Sequence, residues 1–376
     1  MAFALTGARV FDGESTHTDL AVVIEGTHIA DVVPAANLAK DIETRNLNGG
    51  LLAPGFIDVQ VNGGGGALFN DSPTVECIRH IAESHRKFGT TGLLPTVITD
   101  APDVLAKAIA AVKTARAENL PGILGIHIEG PFLDLERRGA HDARYIREMT
   151  EGDVVQIAGA DCGKIMLTLA PNRVPATLVN ALSEKGVLVS LGHSEASGAD
   201  ATRALGAGAR AFTHVYNAMS QMSGREPGMV GTALADLESF CGFIADGYHV
   251  HDTALRVAFA AKPLSRIMLV TDAMPTAAGG PDHFELQGRS VKRVGGKLLL
   301  NDGTLAGSNL VMDEAVRHCV ARLGVSSENA LRMASLNPAS FLKREHELGR
   351  IKRGYLASLV HLDDSLHVLV TWIEGK

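Results

Sequence analysis

Cysteine is scarce and unpaired in this chain. Cys77, Cys162, Cys241 and Cys319 stand far apart with no Cys-x-x-Cys spacing. That pattern excludes a disulfide framework and a cysteine zinc cluster, and it suits a reducing, cytoplasmic compartment. Basic charge is not in excess either: 35 Lys and Arg face 42 Asp and Glu, leaving a net charge of -7 and no basic stripe. A nucleic-acid footprint is therefore not expected. No stretch of about 18 uninterrupted apolar residues occurs, so no membrane span is expected. The opening MAFALTGARVFDG lacks a basic flank and a sustained apolar core, so no signal peptide is expected. Internal repeats and low-complexity linkers are absent as well.

What is present is the material for a large core. Of 376 residues, 46% are hydrophobic and 20% charged, a balance that fits one large barrel with an appendage. Residues 1 to about 53 read as short strands punctuated by Gly, Asn and Asp. From Gly55 apolar strands alternate with amphipathic segments. The strand candidates are FIDVQVN, TGLLPTVIT, GILGIHIEG, KIMLTLAP, GVLVSLGHS, AFTHVYNAM, FCGFIADGYH and RIMLVTDAM. Between them lie stretches such as TVECIRHIAESHRKFG and PATLVNALSEKG, the latter ending on a glycine cap. Eight such units suggest a closed parallel barrel, although a doubly wound sheet alternates in the same way. After the eighth strand come two helices, DEAVRHCVARLG and SSENALRMASLNPASFL, the second capped by Ser326 or Ser327. The final segment returns to short strands and pairs naturally with the first fifty residues. The expected division is a small β-sandwich domain from residues 1–53 plus 346–376, and an α/β barrel domain from 54–345.

The stretch PGFIDVQVNGGGG carries Asp58, Gln60 and Asn62 at spacing two. Strand geometry puts all three on one face, where polar groups are costly unless they line a site. Barrel enzymes place their chemistry at the C-terminal ends of strands. There this sequence carries Glu129 of HIEGP, His193 of GHS, His214 of THVYNAM, His249 of ADGYH and Asp272 of TDAM. Two histidines and a carboxylate form a catalytic zinc set with a position left open for water. His193 and His214 are 21 positions apart, one strand–helix unit, so adjacent strands would present them. One such histidine alone would more often be a hydrogen-bonded core residue; jointly, several buried Glu and His side chains each need a partner. Asp272 would then serve either to orient a ligand histidine or as general base and acid in amide hydrolysis.

Other signals carry less. GAGARA (206–211) matches a dinucleotide-binding pattern but follows a helix and precedes a strand, the reverse of the required order. Gly63 to Gly66 lack the Lys-Ser/Thr of a phosphate loop and read as room for a close substrate or backbone approach. His249-x-His251 is split if Asp252 opens a helix, and no Ser-His-Asp arrangement falls at strand ends.

Taken together, PGFIDVQVNG, GIHIEGPFL with RRGAHD, SLGHSEA, THVYNAM, GREPGMVG, IADGYHVH, VTDAM and LAGSNL resemble the amidohydrolase superfamily. Within it they resemble the N-acetylglucosamine-6-phosphate deacetylases, from Pro54 to Leu310 and with β-rich ends to match. The resemblance implies a (β/α)8 TIM-type barrel with a small β-sandwich domain formed by both chain ends. It implies ligation of one divalent metal, zinc first and ferrous iron also acceptable, by Glu129, His193 and His214. Asp272 would be the acid/base, and His141 of GAHD would help polarise the acetyl carbonyl. The Ala140 backbone, Asn217, Ala218, Ala306 and Gly307 would contact the sugar. Arg225 and His249 would contact the phosphate, one such contact coming from a neighbouring subunit of a homodimer. The implied reaction releases acetate from an N-acetylated amino-sugar phosphate. The galactosamine epimer and other mononuclear amidohydrolases stay open, since one hydroxyl's stereochemistry separates the first pair. A dihydroorotase-type site loses ground because Lys164 stands at the start of strand four. A sugar-phosphate sensor on a retired barrel could have lost any of Glu129, His193, His214 and Asp272; this chain retains all four. Many relatives carry His-x-His on strand one for a second metal. Gln60-x-Asn62 stands there instead, and neutral amides are poor zinc ligands, so one metal is expected.

Overall fold

The computed structural model describes residues 2–376. Eight strands follow one another in parallel register. They are β1 (Phe56–Val61), β2 (Thr90–Ile98), β3 (Gly125–Glu129), β4 (Lys164–Leu169), β5 (Leu188–Leu191), β6 (Ala211–Phe212), β7 (Phe240–Phe243) and β8 (Ile267–Leu269). All but a residue or two are buried, as expected for strands covered by helices outside and packed side chains inside. β8 and β1 stand at the two ends of this order, and the seam between them closes just beyond β8, through a parallel bridge from Val61 to Ala273. The Asp272 amide donates to the Gln60 carbonyl (2.9 Å) and the Asn62 amide to that of Ala273 (3.0 Å). The sheet therefore closes into a barrel, and Asp272 sits on its closing seam.

Just inside the C-terminal strand ends runs a chain of buried polar side chains, each with a partner. Thr96 Oγ1 lies 3.1 Å from His127 Nδ1, and His127 Nε2 lies 2.8 Å from Thr168 Oγ1. Thr168 continues to Thr213 (2.7 Å), and Thr213 to Ser190 (2.6 Å). Burial pushes His127 down to about 4, so it is a neutral core histidine of the satisfied kind.

Outside, helix α1 (Val75–Arg86) shows the local logic. Thr74 caps it by accepting from the Cys77 amide (3.2 Å), and Cys77, Ile78 and Ile81 turn the apolar face inward. Truncating Ile81, which is fully buried, to Ala would cost about 2–5 kcal/mol. The polyglycine run packs its backbone on this helix. His85 Nε2 meets the Gly63 carbonyl (2.9 Å), and a Cβ on Gly64 would lie 2.6 Å from the same nitrogen. Of the two expected uses for these glycines, the close backbone approach is the one present; none of them lines the site cavity.

Both chain ends build two further sheets. Strands Ala2–Thr6, Leu20–Glu25, His28–Pro34 and Glu43–Asn46 form one. The other joins Arg9–Phe11, Thr16–His17 and Leu51–Pro54 to Leu359–Leu362 and Val368–Trp372. Phe3, Val22 and Ile24 from the first share a buried core with Val10, Leu52, Leu359 and Trp372 from the second, so the two faces pack as a small sandwich.

Two expectations after β8 need correction. A four-stranded antiparallel sheet (His283–Leu286, Arg289–Val294, Lys297–Leu300, Leu305–Ser308) precedes the helices there. It buries its own small cluster, Leu286, Val291, Leu298 and Ala306, against Met274 and Ile98 at the barrel mouth. The segment read as one long helix is two, Ser327–Ala334 and Leu336–Phe341, broken at Ser335. Pro338 explains the break: its ring is tolerated in the first turn of the second helix, not in the interior of a continuous one. Ser326, accepting from the Asn329 amide, is the cap.

Candidate active site

Each expected ligand lies at or just past a strand's C-terminal end: Glu129 ends β3, His193 follows β5, and His214 follows β6. The backbone turns sharply to deliver them. His193, His214 and Asp272 have φ of 47°, 30° and 52°, conformations that non-glycine residues hold only where the surroundings enforce them. This also explains why β6 is only two residues long: with Tyr216 (79°) and Ala218 (48°) in the same region, the strand cannot continue.

Three ligand atoms converge. Glu129 Oε1 lies 3.2 Å from His193 Nε2 and 3.0 Å from His214 Nε2, and the two nitrogens are 3.1 Å apart. These separations are close to the edge of a tetrahedron, about 3.3 Å, around an ion bound at about 2.0 Å. His193 Nδ1–H donates to the Arg137 carbonyl (2.9 Å), leaving its Nε2 lone pair facing the cluster. Burial alone would push the Glu129 carboxyl up. Protonated His193 and His214 imidazoles outweigh it through their hydrogen bonds and charge and hold Glu129 well below its ordinary value. Burial likewise works against a charged His214, yet Glu129 raises it. A buried anion between two imidazole nitrogens calls for a cation, and a divalent metal fits this donor set. It is the one such cluster among the described residues.

The amides of β1 serve the carboxylates. Gln60 Nε2 donates to Glu129 (3.2 and 3.3 Å) and to Asp272 Oδ1 (3.2 Å), and Asn62 Nδ2 donates to the same Oδ1 (2.7 Å). Burial and the neighbouring Glu129 charge nonetheless push Asp272 up to about 6. Asp58, the third polar residue of the strand, points deeper. It accepts from Thr271 Oγ1 (2.5 Å), tying β1 to the end of β8, and from the Gln60 backbone N–H (3.1 Å), and burial pushes it up to about 7.

A cavity of about 330 Å³ opens over these groups. Among its lining residues are Asn62, Glu129, Ala140, His141, His193, His214, Asn217, Ala218, His249, Asp272, Ala306 and Gly307. The expected residues are thus brought together, with one exception: Arg225 is exposed and outside the cavity of its own chain. His141 packs edge-on against His193 at 4.4 Å, and its Nδ1 is 2.9 Å from Thr99 Oγ1. Burial, then the His193 charge, keeps it neutral, well below the usual range. Gly307 (φ 68°) leaves no room for a side chain, since a Cβ there would lie 3.0 Å from the Asp272 carbonyl. His251 caps the helix Asp252–Ala261 through Nδ1, which separates it from His249.

Sequence reasoning missed four contributors. Thr99 carries no motif of its own. Gln287 and Arg289 come from the unforeseen sheet and bind the Thr99 carbonyl (2.8 Å) and the Ala140 carbonyl (2.5 Å). The Ala140 carbonyl is therefore already engaged by the protein. Asp246 pairs with His249 at 2.6 Å; its position three residues before His249 was the available signal.

A closed parallel barrel with a buried Glu-His-His cluster and a carboxylate at its C-terminal rim defines a metal-assisted hydrolase. The amidohydrolase family model matches residues 51–376 and a NagA composite domain matches residues 2–52. The chain belongs to the amidohydrolase family, and it is a hydrolase acting on an amide bond. It is 44% identical over 330 residues to an N-acetylgalactosamine-6-phosphate deacetylase of Shewanella sp. (strain ANA-3), covering 88% of this chain and 84% of that protein. It is 32% identical to the N-acetylglucosamine-6-phosphate deacetylase of Haemophilus influenzae, covering 100% and 99%. The crystal structure of N-acetylglucosamine-6-phosphate deacetylase from Pasteurella multocida superposes with a TM-score of 0.97 at 32% identity, covering 100% of this chain and 99% of that one.

Proposed function

We propose that this protein hydrolyses the N-acetyl group of N-acetylglucosamine 6-phosphate, giving glucosamine 6-phosphate and acetate. The observation that carries the reading is the convergence of Glu129, His193, His214, Asp272 and a neutral His141 on one cavity. One divalent ion, which we assign as zinc, would be held by Glu129, His193 and His214 and would acidify water and polarise the acetyl carbonyl. Asp272, held by Gln60 and Asn62, takes a proton from the attacking water and delivers it to the departing amine. His141 donates from Nε2 to the developing oxyanion. That requires its proton on Nε2, with Nδ1 accepting from the Thr99 hydroxyl, which lies 2.9 Å from Nδ1 and 3.3 Å from the Glu129 carbonyl.

Asn217, Ala218, Ala140, Ala306 and Gly307 enclose the sugar. His249 meets the phosphate from within the chain. Arg225, exposed and outside its own cavity, suits donation to the phosphate of a neighbouring subunit, so we propose a homodimer. The division of the chain falls at 53/54 and 345/346 in this reading, with the chemistry wholly in the barrel. No helix is long and apolar enough to cross a membrane, and four free, buried cysteines suit a cytoplasmic setting.

A second substrate reading, the galactosamine epimer, is favoured by the 44% identity to the Shewanella protein. Acetate release from the two N-acetylhexosamine 6-phosphates, measured side by side, decides between them. The glucosamine reading expects the higher kcat/KM on that epimer. The reverse ranking transfers the assignment to galactosamine, and no release from either overturns both.

A further inference from the structure

His249 is held in an unusual way for a ligand-facing histidine. Its side chain and that of Asp246 are only 4% and 7% exposed. Asp246 Oδ1 accepts from the amides of Tyr248 (2.8 Å) and His249 (2.9 Å), fixing the carboxylate in a tight turn. Its Oδ2 then takes the His249 Nδ1–H at 2.6 Å. The other ring nitrogen, Nε2, is buried without any partner in the protein, and His249 lines the site cavity. An unpartnered nitrogen costs free energy unless a ligand meets it.

Asp246 therefore determines what His249 can offer. With Nδ1–H committed to the carboxylate, a neutral ring would present a lone pair to the cavity and repel an anion. A protonated ring presents Nε2–H and a positive charge, and the Asp246 carboxylate is the counter-charge that stabilises it. Burial pushes the Asp246 carboxyl up, but the bond and charge of His249, with the two turn amides, more than offset this and leave it lowered.

We infer that Asp246 is the positioning residue of the phosphate site: it orients His249 and supplies the counter-charge that makes it a cationic phosphate donor. The inference rests on the reading of His249 as a phosphate contact. It goes beyond that reading in assigning the substrate's phosphate selectivity to the pair rather than to the histidine alone.

The test uses Asp246→Asn in the metal-loaded protein. The asparagine carbonyl still accepts from both turn amides, so the loop is retained. Its NH2 then faces His249 Nδ1, which leaves the imidazole neutral. Two quantities are read: the ratio of kcat/KM on N-acetylglucosamine 6-phosphate to that on unphosphorylated N-acetylglucosamine, and the Kd for inorganic phosphate by calorimetry. The expected result is a fall of about tenfold or more in the ratio, with a matching weakening of phosphate. An equal loss on both sugars with the ratio preserved would show a merely structural role and overturn the inference. So would unchanged phosphate affinity. If the wild-type protein releases acetate from neither sugar, the deacetylase reading fails by itself, and the phosphate titration still decides the role of Asp246. Should the asparagine variant not fold, Asp246→Ser, whose hydroxyl also accepts in such turns, takes its place with the same expected and contrary results.

Discussion

Replacing Asp272 by Asn separates the chemistry of this residue from its geometry. Its φ of 52° is a conformation that asparagine adopts readily. Both bonds that hold it, from Asn62 at 2.7 Å and Gln60 at 3.2 Å, end on Oδ1. An asparagine with its carbonyl at that position keeps both, and only the atom that carries the proton changes. The loss should therefore be catalytic and not positional. General acid–base catalysis by a positioned group is worth about a hundred- to ten-thousand-fold, or about 2.7–5.5 kcal/mol of barrier. The assay is acetate release at pH 7.5 by Asp272→Asn and wild-type proteins of equal metal content and melting temperature. The same residue should set the acid limb of the wild-type pH profile. Burial raises its carboxyl above the ordinary range, so the base form is lost at a higher pH than for an exposed aspartate. Turnover within about threefold of wild type, far less than general acid–base catalysis supplies, would refute the assignment.

Asp58 offers a stability counterpart. Burial raises its folded pKa from 3.8 to about 7, so the folded state holds a proton that the unfolded chain has lost. Its contribution is fully present below 3.8 and is lost as pH rises through about 7, by at most about 4 kcal/mol. Asp58→Asn should remove that slope, so that the variant gains on wild type in chemical denaturation between pH 4 and 7.5; a constant difference across the window would contradict this. Thr99→Val should lower kcat by about tenfold through loss of the donor to His141 Nδ1, while Thr99→Ser retains it. Equal rates for the valine and serine variants would show that the hydroxyl does not set the tautomer.

Much of the site was legible because its residues sit at strand ends within apolar runs, where a polar side chain has no other reason to be. Glu129, His193, His214 and Asp272 are of this kind. So were Gln60 and Asn62, which turn out to steady Glu129 and Asp272. The sheet at His283–Ser308 was not legible. Its strands are short and half exposed, so the alternation that marks a strand is weak there. Nothing local announces that Gln287 and Arg289 reach carbonyls of loops more than a hundred residues away. Thr99 escaped for a related reason: a threonine at the end of a strand is ordinary until His141 is placed beside it. Arg225 is the converse case, chosen by motif and found exposed, outside the cavity of its own chain.

The central claim is a one-metal site in which the β1 amides serve carboxylates and do not bind a second ion. The direct measurement strips the protein with a chelator and returns metal in graded equivalents while following acetate release. Activity should rise linearly and reach its plateau at one ion per chain. A plateau that requires two tightly bound ions per chain would contradict the account.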